Sequence, residues 1–162
     1  MDVRHLLAYS DALSARWWDD LGKLDAGALA KVVDFTFLTP LGILTHMGNV
    51  ENGWMDVVEG AKPRWARHST KEWAELSPVR AYAEDARRRT HKLVDDLDDA
   101  GLRRVCGPVE GPFARDRLTV EEVLMTVFTH EHIHRGEVLA ALWHQNVQPP
   151  PADYPAYLTP LR

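Results

Sequence analysis

The segment THEHIHRGE, residues 129–137, places three histidines at alternate positions with a glutamate after the first: His130, Glu131, His132 and His134. Imidazole is the commonest metal ligand among side chains. On a helix, residues i and i+4 emerge one turn apart on the same face, so His130 and His134 can converge on one ion. At about 100° per residue, His134 falls about 40° and Glu131 about 100° from His130, whereas His132 lies about 200° away. Val123, Val127, Val138 and Leu142 share the first arc. The pattern therefore predicts an inward histidine pair with an inward carboxylate. His132 is expected at the surface, and Arg135, at the margin of the arc, as a surface or ion-pairing residue.

The letters match the H-E-x-x-H signature of zinc peptidases, in which two histidines bind zinc and the glutamate is the base. The surroundings do not. The extended form of that motif requires glycine and histidine where this chain has Glu137 and Ala140, and no glutamate follows Glu137 to act as a third ligand. A peptidase is accordingly the least favoured reading. A carboxylate-bridged di-iron centre needs two Glu-x-x-His motifs, and only Glu131-x-x-His134 is present.

His46 supplies a better third ligand. On its own helical wheel it edges a stripe of Ile43, Met47, Val50, Trp54 and Val57, with Gly42 and Gly53 leaving space beside the ring. His46, His130 and His134 would give the three-ligand set that a catalytic ion uses, with positions left for water or substrate. The competing reading is a bundle in which the ion does no chemistry and only pins two helices together; a third is a ligand-binding protein that has lost its metal. Glu131 is the candidate catalytic residue, moving a proton or orienting a water. Alternatively it partners a ligating histidine or pairs with an arginine. His5, His68, His91 and His144 receive no role.

Four amphipathic stretches must carry these residues. One spans residues 3–22, with Leu6, Tyr9, Leu13, Trp17 and Leu21 on one face. The second opens at Thr39-Pro40, an N-cap with proline at the first helical position, and runs to about Gly60. The third runs from Ser77-Pro78 to Gly101. The fourth starts at Thr119, where Glu122 completes a capping box, and reaches Asn146. These predict an all-α four-helix bundle. Its connections, roughly 12 to 18 residues, are long enough to imply crossovers. A short hairpin is expected between the third and fourth helices, in RRVCGPVEGPFA. The proline-rich tail, residues 147–162, should pack on the bundle or on a partner through Tyr154, Tyr157 and Leu158.

At 162 residues the chain reads as one domain, 1–162, with ample core-forming residues. Its net charge of −5 argues against nucleic-acid binding, which needs a concentrated basic face. Arg87, Arg88 and Arg89 lie among acids and read as a solvated helix face. The single cysteine, Cys106, excludes an internal disulfide, and no histidine flanks it to make a nucleophile. With no export signal and no membrane-length apolar run, a cytoplasmic protein is expected.

Three features together resemble the DinB/YfiT family of four-helix-bundle metalloenzymes. They are His46 followed by Trp54 in ILTHMGNVENGW, the His130-x-x-x-His134-Arg135-Gly136 segment, and the tail QPPPADYPAYL. The resemblance spans nearly the whole chain. It implies a divalent ion, commonly zinc or nickel, on His46, His130 and His134, a small-molecule substrate, and a homodimer. Family relatives include S-transferases that use bacillithiol and a mycothiol-dependent isomerase, so a low-molecular-weight thiol is the implied cosubstrate.

Overall fold

The computed structural model describes residues 3–34, 36, 38–109 and 117–151. Within them lie α1 (Val3–Leu21), the one-turn α2 (Ala26–Leu29), α3 (Pro40–Val58), α4 (Leu76–Asp95), α5 (Asp99–Arg103), β1 (Val105–Cys106), β2 (Leu118–Thr119) and α6 (Val120–His144). The four long helices are those expected. No helix among the described residues is long and apolar enough to cross a membrane.

Local chemistry sets most of the helix ends. Thr39 Oγ1 accepts the Gly42 amide at 3.0 Å, and Pro40 occupies the first helical position of α3. At α6, Thr119 Oγ1 accepts the Glu122 amide while Glu122 Oε2 accepts the Thr119 amide, so two otherwise orphaned donors are satisfied reciprocally. The third stretch differs from expectation. It starts at Leu76 and stops at Asp95 instead of reaching Gly101. Within the acidic run that follows, Asp98 Oδ1 accepts the Gly101 amide at 2.7 Å and caps a new helix, α5. Short acidic side chains favour such caps over continued helix, and aspartates sit better at a helix N-terminus than at a C-terminus.

Long helices pack in the order α1, α4, α3, α6 around the bundle, with α3 against both α4 and α6 and α1 against α6 and α4. Helices α1 and α3 are therefore diagonal, as are α4 and α6, and their connections cross the bundle. The expected hairpin is present as a two-residue antiparallel ladder, Val105 opposite Thr119 and Cys106 opposite Leu118, leading directly into α6. In the connection from α3 to α4, the Asn49 side chain grips the backbone of His68, donating to its carbonyl at 2.8 Å and accepting its amide at 3.1 Å.

Burial is concentrated in two apolar clusters. One joins Val3 and Leu7 to Trp54, Met55, Val94, Leu124 and Phe128; the other joins Trp17, Trp18 and Leu21 to Leu41, Leu44, Val79, Val138 and Leu142. Between them lies a polar layer of Ser10, Glu51, Thr90, Glu131 and Arg135, all buried. Arg87 belongs to that layer too. Its side chain is 15% exposed and ion-paired, so the arginine run is not a uniformly solvated face. It sits one turn from Ala83 and from Thr90, on the inward stripe of α4. Pro149 and Pro150 are buried, while Tyr154, Tyr157 and Leu158 lie outside the described residues.

Candidate metal centre

α3 and α6 are neighbours, and their packing brings His46 against His130 and His134. Ring centroids lie 5.1 Å apart for His46 and His130, 4.8 Å for His46 and His134, and 4.2 Å for His130 and His134. One ligand atom from each falls within 4.8 Å of the others, and all three side chains are half-buried. The Nε2 atoms of His130 and His134 are 2.9 Å apart. His132 turns away from this group, as its wheel position predicts, yet it is not simply a surface residue. Its ring stacks on Tyr9 at 5.3 Å, and Nδ1 meets the Phe128 carbonyl at 2.7 Å.

The donor set suits a divalent ion. Burial, followed by the neighbouring His134, pushes the proton affinity of His46 below its ordinary value. Burial, then His134 and His46, lowers that of His130 to about 3. Neutral imidazole nitrogens are what a metal requires. Behind His134, Glu137 Oε2 lies 2.6 Å from Nδ1, leaving Nε2 to point at the group. A carboxylate backing a ligand in this way fixes its tautomer and raises its basicity. In the sequence Glu137 stands out only as a departure from the peptidase pattern; its position one turn beyond His134 is the signal of this contact. No fourth ligating side chain joins the three among the described residues.

His130 also forms part of the wall of a cavity of about 350 Å³ between α1, α3, α4 and α6. Trp17, Trp18, Leu44, Met47, Val50 and Val127 give it apolar walls; Asp11, Glu51, Arg87, Glu131 and Arg135 give it a charged floor. Glu131 is the centre of that floor. Its Oε1 accepts from Arg135 Nη2 at 2.5 Å, and its Oε2 accepts from Arg87 Nη2 at 2.8 Å and Ser10 Oγ at 2.6 Å. Burial alone would raise its proton affinity, but Arg87 and Arg135 outweigh that and hold the carboxyl well below the carboxylate range. Of the roles weighed for Glu131, this geometry is that of an inward acid paired with arginines.

Two further acids complete the floor. Glu51 Oε1 accepts from Thr90 Oγ1 at 2.7 Å and lies 3.2 Å from Arg87 Nε. Asp11 pairs with His91 Nε2 at 2.9 Å. Burial raises the proton affinity of both above the ordinary carboxylate value, against the pull of Arg87. Neither acid stands out in the sequence. Glu51 lies five residues after His46, and only the packing of α4 shows that it has a buried cation to face.

A four-helix bundle with a three-histidine group on two facing helices and a closed-floored cavity beside it defines a bundle-type candidate metal centre. The DinB family model matches residues 1–161, and the chain belongs to that family. Among solved structures, a DinB-like protein from Bacillus cereus is 14% identical with a TM-score of 0.69, covering 91% of this chain and 95% of that one. A conserved protein from Enterococcus faecalis is 12% identical with a TM-score of 0.64, covering 85% and 93%. At these identities the likeness is one of fold. No curated protein matches the chain.

Proposed function

We propose that the protein is a divalent-metal-dependent enzyme acting on a small molecule, with zinc or nickel on His46, His130 and His134. The observation that carries this reading is the convergence of three imidazoles, one of which, His130, lines an open-mouthed cavity, with no fourth side-chain ligand among the described residues. A site built only for stability is normally closed by four protein ligands, whereas a catalytic one keeps a position open. A bound ion would supply Lewis acidity and lower the proton affinity of a thiol or water held on it.

The chain's own residues divide the remaining work. Glu137 orients His134. Trp17, Trp18 and Met47 give the cavity an apolar wall for the body of a substrate. Arg87, Arg135 and Ser10 fix Glu131 as a carboxylate, so its role is to hold the two guanidiniums in place rather than to shuttle a proton. The reaction class we favour is transfer of a low-molecular-weight thiol to an electrophile, as in the family's S-transferases. The test has two stages. Metal content of untagged wild type and His46→Ala is measured by elemental mass spectrometry, and the loaded wild type is then assayed for thiol transfer to an electrophilic model substrate. About one ion per chain with no metal-dependent turnover of any thiol would favour the purely structural ion instead.

A further inference from the structure

Two buried guanidiniums beside the cavity have hydrogens left over. Nε and Nη1 of Arg135 and Nη1 of Arg87 are buried and make no hydrogen bond, and both residues line the cavity beside His130. The Arg135 side chain is only 3% exposed. Its Nη2 is occupied by Glu131, Ser14 and the Ser10 carbonyl, and its Cζ lies 5.2 Å from the Trp17 ring centroid. Arg87 serves Glu131 through Nη2 and Glu51 through Nε, while Nη1 stands 3.7 Å from Asp11, beyond hydrogen-bond reach. A buried donor without an acceptor is destabilising, because it has lost water and gained no partner. Three such donors, on two arginines bridged by one carboxylate, make a site that lacks its acceptor.

We propose that Arg87 and Arg135 form an anion subsite that holds the carboxylate of a small monocarboxylate, with its apolar body against Trp17, Trp18 and Met47. The inference deepens the proposed function by naming a substrate class, and it rests on that reading only in taking this cavity as the place where the substrate binds. Beside the two arginines the cavity already holds Glu131, Glu51 and Asp11, while Glu84 and Arg88 offset one another. A singly charged acid adds least to that negative charge, whereas a phosphate dianion or the second carboxylate of a diacid would face Asp11 and Glu51. Planar, paired acceptance also matches a guanidinium edge better than a single neutral carbonyl does.

The test is calorimetric titration of metal-loaded wild type with 4-phenylbutyrate and with the neutral 4-phenylbutyramide. The acid should bind about tenfold or more tightly than the amide, the size expected of hydrogen bonds to a charged group. Two variants separate the arginines from the ion as the source of that preference. His46→Ala, which dismantles the histidine group, should keep a reduced preference of about threefold. The double variant Arg87→Met with Glu51→Gln, which removes one charge of each sign, should bind acid and amide alike while keeping its metal content. Equal binding of acid and amide by wild type overturns the proposal, and so does a preference that survives in the double variant but vanishes in His46→Ala, since the ion would then be the anion's partner. If wild type takes up no ion, the same titrations on the metal-free chain still decide. A carboxylate preference there upholds the arginine subsite while the metal reading fails.

Discussion

His130 Nε2 and His134 Nε2 lie 2.9 Å apart on successive turns of α6, with the His46 ring closing the group from α3. Only one of those two nitrogens can carry a hydrogen in such a contact, so the pair is arranged to share something between them. With the proton affinity of His130 lowered to about 3, a second proton is disfavoured there, and the group could hold a metal ion.

Removing His46 should therefore empty the site without unfolding the chain, because its side chain is half-buried and on the edge of the core. Elemental analysis is expected to find about one ion per chain in wild type and most of it lost in His46→Ala and His130→Ala. His132→Ala, which touches Tyr9 and the Phe128 carbonyl instead, should keep its metal. Full occupancy without His46 would return attention to the two α6 histidines alone.

Glu137 acts on the ion only through His134. Glu137→Ala should weaken metal affinity about 10- to 100-fold, the usual effect of losing a carboxylate behind a ligand. Competition with a chelator of known affinity reads this directly. An unchanged affinity would mean that the 2.6 Å contact orients nothing that matters to binding.

Glu131 holds the middle of the bundle together. Glu131→Ala leaves Arg87 and Arg135 buried without their shared acceptor, and breaking such a pair typically costs about 3–5 kcal/mol. Urea denaturation should show that loss, with a smaller one for Glu131→Gln, which keeps an oxygen for Ser10. If the Gln variant instead matches wild type in stability but loses turnover, a proton-transfer role regains the advantage.

Helix α6 shows how far sequence can carry a site. Its capping box, its inward histidine pair and the buried Glu131 all follow from spacing along one helix, where a wheel is a sound guide. What the wheel cannot supply is the neighbour. Arg87 looks solvated among Arg88, Arg89 and Asp85, and only the packing of α4 against α1 and α6 gives it three acids to face. The early end of α4 was hidden for a related reason. A heptad-like stripe continues through Leu97 and Ala100, but the local choice belongs to Asp98, whose cap on α5 outweighs one more turn of helix.

Stability should also respond to Glu51 in a pH-dependent way. Burial raises its proton affinity in the folded chain above the ordinary 4.5, so the folded state holds the proton more tightly than the unfolded state does. The contribution is thus favourable at low pH and is lost as pH rises from 4.5 through the raised value. Glu51→Gln should gain melting temperature relative to wild type at pH 8 compared with pH 4.5, in metal-free protein. A difference between variant and wild type that is flat with pH would contradict the assignment.

Close helix approach gives a further test away from the charges. A Cβ at Gly48 would lie 2.8 Å from Tyr82 Cε1, and one at Gly53 would overlap the Trp65 ring. Alanine favours a helix by about 1 kcal/mol over glycine, yet overpacking costs about 1–3 kcal/mol. Gly48→Ala and Gly53→Ala should therefore fail to stabilise the protein, and Gly53→Ala should lower its melting temperature.

The polar layer between the two apolar clusters has a consequence for how this bundle can change over time. Each cluster draws on all four long helices, so each half can keep the helices aligned on its own contacts. Substitutions confined to the waist alter charge, ligand set and cavity shape while leaving both hydrophobic halves intact. A scaffold divided in this way can exchange one chemistry for another in a few steps.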